Sequence, residues 1–249
     1  MNDNVFNNYS DFYDIFYKDK DYKSEVNYLL NLFKQHKQNS FKLLEFGSGT
    51  GKHGKLLAKA GYKVHGIEKS KKMISLAKQG NGFTCDEGDI CNLNLGIKFD
   101  AVFSLFHVMS YQTVNSQIYA VFKSAADHLS KNGLFIFDNW YTPAVYYNQP
   151  SVRYKNIKYE NFEIFRIAEP SIRINCNIVD INYTILIKNI KDNSLQTVTE
   201  KHQMRHLSVP EIKMFAENNG LEHLKSEEFL TGNVPNKHTW TICNIFKKI

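Results

Sequence analysis

A chain of 249 residues, 43% hydrophobic and 14% aromatic, can fill one large domain or one domain carrying an insertion. Its four cysteines (Cys85, Cys91, Cys176, Cys243) form no CxxC pair, so neither a zinc site nor a disulfide framework is indicated, and no apolar run approaches the ~20 residues that span a bilayer. The formal charge of +6 is spread along the chain rather than gathered in a stripe, which speaks against a nucleic-acid partner and favours attraction of small anions.

The first residues, MNDNVFNNYSDFYD, lack the basic and apolar regions of a signal peptide, so a cytoplasmic enzyme with free thiols is expected. In 22–37, Val26, Leu29, Leu30 and Phe33 recur at helical spacing. FKLLEF follows as a buried strand, 52–60 as a helix closed by Gly61, and YKVHGIE as a second strand. KSKKMISLAKQ reads as a helix capped by Ser70, FTCDEGDI as a short third strand and loop, and FDAVFSLF as a fourth strand. That fourth run is apolar throughout, as expected where both faces of a parallel sheet are covered. A helix over 115–130 and the strand GLFIFD complete a β-α alternation that implies a doubly wound, Rossmann-like α/β sheet.

The rhythm changes over 152–207, where YENFEIFRIAE, NIVDINYTILIKN and LQTVTEKHQMRHL alternate with period two around the turn KDNS. An added antiparallel sheet is expected there. Pro210 opens a helix that Gly220 ends, and two more strands, around LEHLKSEEFL and TWTICNIFKK, close the chain. The expected organisation is a cap and core over 1–140, an acceptor-binding insertion over 141–208, and a helix with two core strands over 209–249.

GSGTGKHGKL, between the first strand and its helix, is an anion-holding loop. It is not a P-loop, because Leu56 stands where a magnesium-binding hydroxyl belongs. It departs from the dinucleotide pattern GxGxxG as well, with Lys52 at the third position and glycine at Gly51. The resulting E-x-G-x-G-x-G from Glu45, followed by Glu68 at the end of the second strand and GDI after the third, resembles the class I methyltransferases that use S-adenosylmethionine (SAM).

The resemblance implies a seven-stranded sheet with the antiparallel addition lying between its fifth and sixth strands. It also implies a loop (Glu45, Gly47, Ser48, Gly49, Gly51) around the methionine part of SAM. Glu68 would bridge the ribose hydroxyls, Asp89 accept from the adenine amino group, and Lys69, Met73, Ile90 and Leu105 add contacts. A carboxylate suits Glu68's place because it can accept from two hydroxyls at once. Tyr13 and Tyr22, in the tyrosine-rich start of the chain, match the segment that covers SAM in similar enzymes. No metal is expected.

SLFHVMSYQT, DNWYTPAVYY and EKHQMRHL are similar to the sugar N-methyltransferases of aminosugar pathways. The implied acceptor is a small molecule: a sugar, a nucleotide-linked sugar, or a capsular or phosphoramidate substituent, taken at N or O and able to bear phosphate. His107, just past the fourth strand, is the candidate base or anchor. Tyr111, Trp140 and Tyr141 are candidate acceptor-pocket walls. His202 and Arg205 are read as sharing a strand face, with Arg205 placed to pair with a phosphate. His202 and His206 form HxxxH, a metal pair only on a helix, and the local pattern is a strand. An RNA methyltransferase and a non-catalytic SAM-binding protein remain alternatives, and the protein is expected as monomer or homodimer.

Overall fold

The continuous apolar runs settle into the middle of a seven-stranded sheet in a computed structural model that describes residues 14–36 and 42–249. Its strands are β1 (Lys42–Phe46), β2 (Lys63–Glu68), β3 (Phe83–Glu87), β4 (Phe99–Ser104), β5 (Leu129–Trp140), β10 (Leu221–Glu228) and β11 (Thr241–Lys248), in the order β10-β11-β5-β4-β1-β2-β3. The pairs from β5 across to β3 are parallel, while β11 runs antiparallel to both β5 and β10.

Side chains alternate across the strands, so each strand feeds two cores. Leu43, Ala101, Phe103, Ile136 and Ile245 face α1 (Tyr22–Gln35) and α2 (Lys52–Lys59). Leu44, Phe46, Val102, Phe135, Phe137 and Phe246 face α4 (Asn115–His128) and α6 (Val209–Glu217). On that second side Phe122 of α4 stands edge-on to Phe135 and Phe137, at ring separations of 5.4 and 5.5 Å, while Phe137 and Phe246 stack at 5.9 Å. Each such buried ring contributes roughly 1.5–3 kcal/mol by area alone. Tyr22–Gln35 begins behind Asp21, whose carboxylate accepts from Ser24 N–H, and Val209–Glu217 begins in a capping box between Ser208 and Glu211. The helix α3 (Lys71–Leu76) is shorter than the sequence suggests, though Ser70 caps it as expected.

Between β5 and β10 the chain leaves the main sheet. The helix α5 (Thr142–Tyr147), which the aromatic-rich sequence did not reveal, carries Pro143 in its first turn. An antiparallel sheet follows, with β6 (Arg153–Tyr159), β7 (Phe162–Arg173), β8 (Ile178–Asn189) and β9 (Leu195–Arg205) paired in sequence order. One of its faces packs on Phe16 and Tyr17, and further along on Tyr111, Trp140 and Val145. The main sheet with its antiparallel addition after the fifth strand is the architecture the sequence implied. Among the described residues, no helix is long and apolar enough to cross a membrane.

Candidate active site

In a doubly wound sheet, ligands bind at the carboxyl ends of the strands where the order reverses. Here that point lies between β1 and β4. The loop after β1 holds Gly47, Gly49 and Gly51 at φ of +68°, +54° and +72°, in the region side chains rarely adopt. A Cβ at Gly47 would lie 2.6 Å from both methyl groups of Val108, so this glycine lets the loops after β1 and β4 touch across the reversal. A Cβ at Gly49 would meet nothing within 4 Å. Gly49 lines a cavity of about 1100 Å³ that begins here and runs beneath the added sheet.

At one end the cavity is lined by Tyr22, Gly47, Ser48, Gly49, Glu68, Lys69, Met73, Asp89, Ile90 and Leu105. Glu68 closes β2, and its carboxylate accepts from Gly49 N–H at 2.8 Å and Ser70 N–H at 2.9 Å. Burial raises its pKa against the pull of those donors. Asp89 lies just beyond β3. It accepts from Cys91 N–H at 2.9 Å and has Lys69 Nζ 3.7 Å from its other oxygen. Two carboxylates with lone pairs to spare and the apolar Met73, Ile90 and Leu105 are a set that fits the nucleoside part of SAM, a diol and an amino-bearing base, while the N–H groups of Gly47 and Ser48 donate to the Ile67 carbonyl and that of Gly49 to Glu68.

Two expectations at this end are corrected. Glu45 does not line the cavity. It is 2% exposed and lies beneath α2, where its Oε2 would be 2.6 Å from a Cβ at Gly54. Gly51 is the N-terminal cap of α2 rather than a lining residue, and a Cβ there would strike Phe83 at 2.6 Å. Gly54 gives the close helix-to-sheet approach that the dinucleotide pattern assigns to its third glycine, since its Cβ would lie 2.4 Å from Phe83. Tyr13 lies outside the described residues.

The sequence also gave no warning of His53, which lines the cavity next to Tyr22. Its Nε2 is 2.6 Å from Glu25 of α1, its Nδ1 is 3.8 Å from Glu45, and Lys20 bonds to Glu25 from the other side. Burial pushes the Glu25 pKa up, but the hydrogen bond and charge of His53, together with Lys20, bring it below the ordinary value. Glu45, fully enclosed and near Glu68, is driven well above it.

At the other end stand His107, Tyr111, Trp140 and His202, with Tyr183 added from β8. Phe106 and His107 both have positive φ, 68° and 63°, an uncommon conformation for bulky residues that costs of order 1–3 kcal/mol each. Asp138, 1% exposed on β5, holds this turn: Oδ1 accepts from His107 N–H at 2.9 Å. Its Oδ2 is also 2.9 Å from His107 Nδ1, an ion-pair distance without hydrogen-bond alignment. The imidazole stands edge-on to Trp140 at 5.9 Å. A histidine at a strand's carboxyl edge, backed by a buried carboxylate, can take a proton or fix an acceptor.

Two acceptor-side expectations are corrected. Tyr141 does not line the cavity; it bridges to Leu207 and packs against the core on the α4 side. Arg205 does not line it either. Period two puts His202 with Met204 and turns Arg205 to the opposite face of β9, where its Nη2 is 3.4 Å from Glu211. Among the described residues no group of three or more His, Cys, Asp or Glu is placed to hold a metal ion.

This strand order, with a glycine turn at the reversal and acids after β2 and β3, defines the fold of a class I, SAM-dependent methyltransferase. Residues 43–133 match the family described as a methyltransferase domain. The chain is 30% identical over 141 residues to the dTDP-3-amino-3,4,6-trideoxy-α-D-glucopyranose N,N-dimethyltransferase of Streptomyces venezuelae, a match covering 55% of this chain and 60% of that one. Its matches span between half and three-fifths of the length of such curated relatives. In three dimensions it is similar to a SAM-dependent methyltransferase from Clostridium acetobutylicum, with a TM-score of 0.81, 19% identity and coverage of 98% of this chain and 99% of the other. It is also similar to CalS10, an amino pentose methyltransferase of calicheamicin biosynthesis from Micromonospora echinaspora, with a TM-score of 0.76, 19% identity and 92% of each chain covered.

Proposed function

We infer that the protein is a cytoplasmic N-methyltransferase that moves a methyl group from SAM to the amino group of a small, nucleotide-linked aminosugar. The observation that carries this reading is the single cavity joining the glycine turn, Glu68 and Asp89 at one end to His107, Trp140, Tyr111 and His202 at the other. The curated relatives named for such sugars support the choice of acceptor.

SAM, when bound, supplies an electrophilic methyl group on a sulfonium. The chain's own residues do the rest. Glu68 and Asp89 fix the nucleoside end by accepting hydrogen bonds, and Met73, Ile90 and Leu105 exclude water from it. Trp140, Tyr111 and His202 bound the space for the acceptor, and the added sheet closes over it. Orientation of this kind supplies up to ~7–11 kcal/mol in well-aligned reactions.

The test is titration calorimetry with SAM and with structured RNA, then mass analysis of products from dTDP-linked 3-amino and 4-amino sugars. Binding of SAM is expected, with a gain of one CH₂ (about 14 Da) on the sugar nitrogen. Tight RNA binding with no sugar turnover would overturn the reading. An oxygen acceptor is the second reading, favoured by the buried Asp138 behind His107, and NMR of the product distinguishes N- from O-methyl.

A further inference from the structure

Apart from the His107–Asp138 pair, a second run of titratable groups leads away from the cavity wall at Tyr111 and His202. Tyr111 lies in the short turn after His107, and its hydroxyl is 2.9 Å from Nδ1 of His202 on β9. The Nε2 of His202 is 3.0 Å from Oε2 of Glu200, on the same strand. The side chains of His202 and Glu200 are 3% and 7% exposed. Ionised Glu200 can only accept, so Nε2 carries the hydrogen; Nδ1 then accepts, and the Tyr111 O–H donates to it. Burial, with Tyr183, Tyr17, Glu200 and Glu68 nearby, drives the Tyr111 pKa well up and keeps the phenol a donor. The pieces come from different layers, the turn after β4 and the added sheet, and they meet only where that sheet covers the main one.

We propose that Tyr111, His202 and Glu200 form a proton-accepting relay for the sugar amine, separate from His107 and Asp138. The inference rests on the amine-acceptor reading. An amine arriving as ammonium has no lone pair with which to attack. In the relay its N–H proton passes to the Tyr111 oxygen as the Tyr111 O–H proton passes to His202 Nδ1. The electrons of the broken N–H bond stay on nitrogen as the attacking pair. The products are a neutral amine, a neutral phenol and an imidazolium held by the Glu200 carboxylate. The imidazolium returns its proton to water after the methylated product leaves. Tyr111 touches the acceptor, while His202 and Glu200 are positioning residues that act through it.

The groups facing His202 fit this role. Tyr183 of β8 stands edge-on at 4.9 Å, and Arg166 of β7 lies 5.5 Å over the Tyr183 ring. Lys201, the neighbour of His202 on β9, is directed to Asp180 at 3.0 Å. Glu200 is therefore the carboxylate in contact with the imidazole, with the Arg166 cation one ring away.

Two arms test the relay in the full-length chain. In the first, ¹⁵N-histidine NMR without acceptor reads the tautomer of His202, with His202→Gln used to assign its signals. The neutral ring should carry hydrogen on Nε2, and Tyr111→Phe should move the Nδ1 resonance while Glu200→Gln moves Nε2. Hydrogen on Nδ1, or resonances unmoved by either change, would overturn the relay whether or not any sugar is turned over. In the second, rates are followed against pH with dTDP-linked 3-amino and 4-amino sugars. Tyr111→Phe and His202→Gln should lower kcat at least ten-fold near pH 6.5, much less near pH 9, and leave SAM affinity intact. Glu200→Gln should fall between them and the parent. An equal loss at every pH would make the run structural only and sink the proposal. Absence of turnover by the parent would defeat the functional reading, with the first arm still deciding the relay.

Discussion

His107 and Asp138 are joined twice: the His107 backbone N–H donates to Oδ1 and its ring Nδ1 lies against Oδ2, each at 2.9 Å. One buried carboxylate therefore holds both the strained backbone of the turn and the imidazole above it. Asp138→Ala should remove both, at a stability loss of about 1.5–3 kcal/mol for a hydrogen-bonded charge. Asp138→Asn keeps an acceptor for the N–H and should lose less. Calorimetric melting of the two variants tests this; equal losses would mean that the ring contact, not the backbone bond, holds the turn.

His107→Ala separates the two acceptor chemistries. With an amine acceptor the loss should be one of positioning, no more than about ten-fold, or ~1.4 kcal/mol of barrier. With a hydroxyl acceptor a base is removed, and about 10²–10⁴-fold should go. Turnover of His107→Ala and His107→Asn against pH reads the difference. Full activity in both would reduce His107 to a packing residue.

The glycines of the turn should fail in different ways. Gly47→Ala forces a methyl group against Val108, so it should destabilise the fold, and Val108→Ala should restore part of the loss. Gly49 has open space where a side chain would go. Gly49→Val should fold with a modest loss from its positive φ while SAM affinity falls steeply. Calorimetric melting and SAM titration on the same samples give both readouts. A Gly49→Val variant that binds SAM like the parent would remove the loop from the site.

What was legible in the sequence follows from periodicity and local chemistry. FDAVFSLF reads as a covered parallel strand because it is apolar on both faces, and Ser70, Pro210 and the glycines mark ends through backbone rules alone. The partners of the candidate site residues were not legible. Asp138 meets His107 because β5 lies beside β4, and His202, itself against Glu200, meets Tyr111 because the added sheet folds over the main one. Such pairings are set by tertiary packing, which no local pattern records. Arg205 is a different case. Period two already placed it opposite Met204 and His202, and pairing the two polar residues on one face set that rule aside. Glu45 is alike: its neighbours Leu44 and Phe46 face the α4 side, so alternation turns Glu45 toward α2.

Arg205→Ala should therefore act on stability rather than on the acceptor. The guanidinium is 3.4 Å from Glu211, which also caps α6 by accepting from Ser208 N–H at 2.8 Å. Losing a half-buried charged contact should lower stability by about 1–3 kcal/mol. The KM for the acceptor should not move. A raised KM with unchanged melting would return Arg205 to the acceptor site.

Glu45→Gln should stabilise the protein, and more so as pH rises. Glu45 is enclosed, and its pKa is driven well above the ordinary carboxylate value by burial and by Glu68. The folded state thus keeps a proton that the unfolded state releases above about pH 4.3. Stability changes with pH in proportion to protons bound unfolded minus folded, which is negative here, so it falls as pH climbs from there to the folded-state value. Glutamine holds no titrating proton, and its advantage over the parent should be smallest near pH 4 and grow through neutrality. Each 1 kcal/mol recovered should appear as about 2–4 °C in Tm for a chain of this size. His53, 3.8 Å away, is the group that could reverse the sign by stabilising an ionised Glu45, but its closer contact is with Glu25 at 2.6 Å. Melting of parent and variant at pH 5 and pH 8 decides between them: a parent that gains on Glu45→Gln as pH rises would show that Glu45 is charged in the fold, sharing His53 with Glu25.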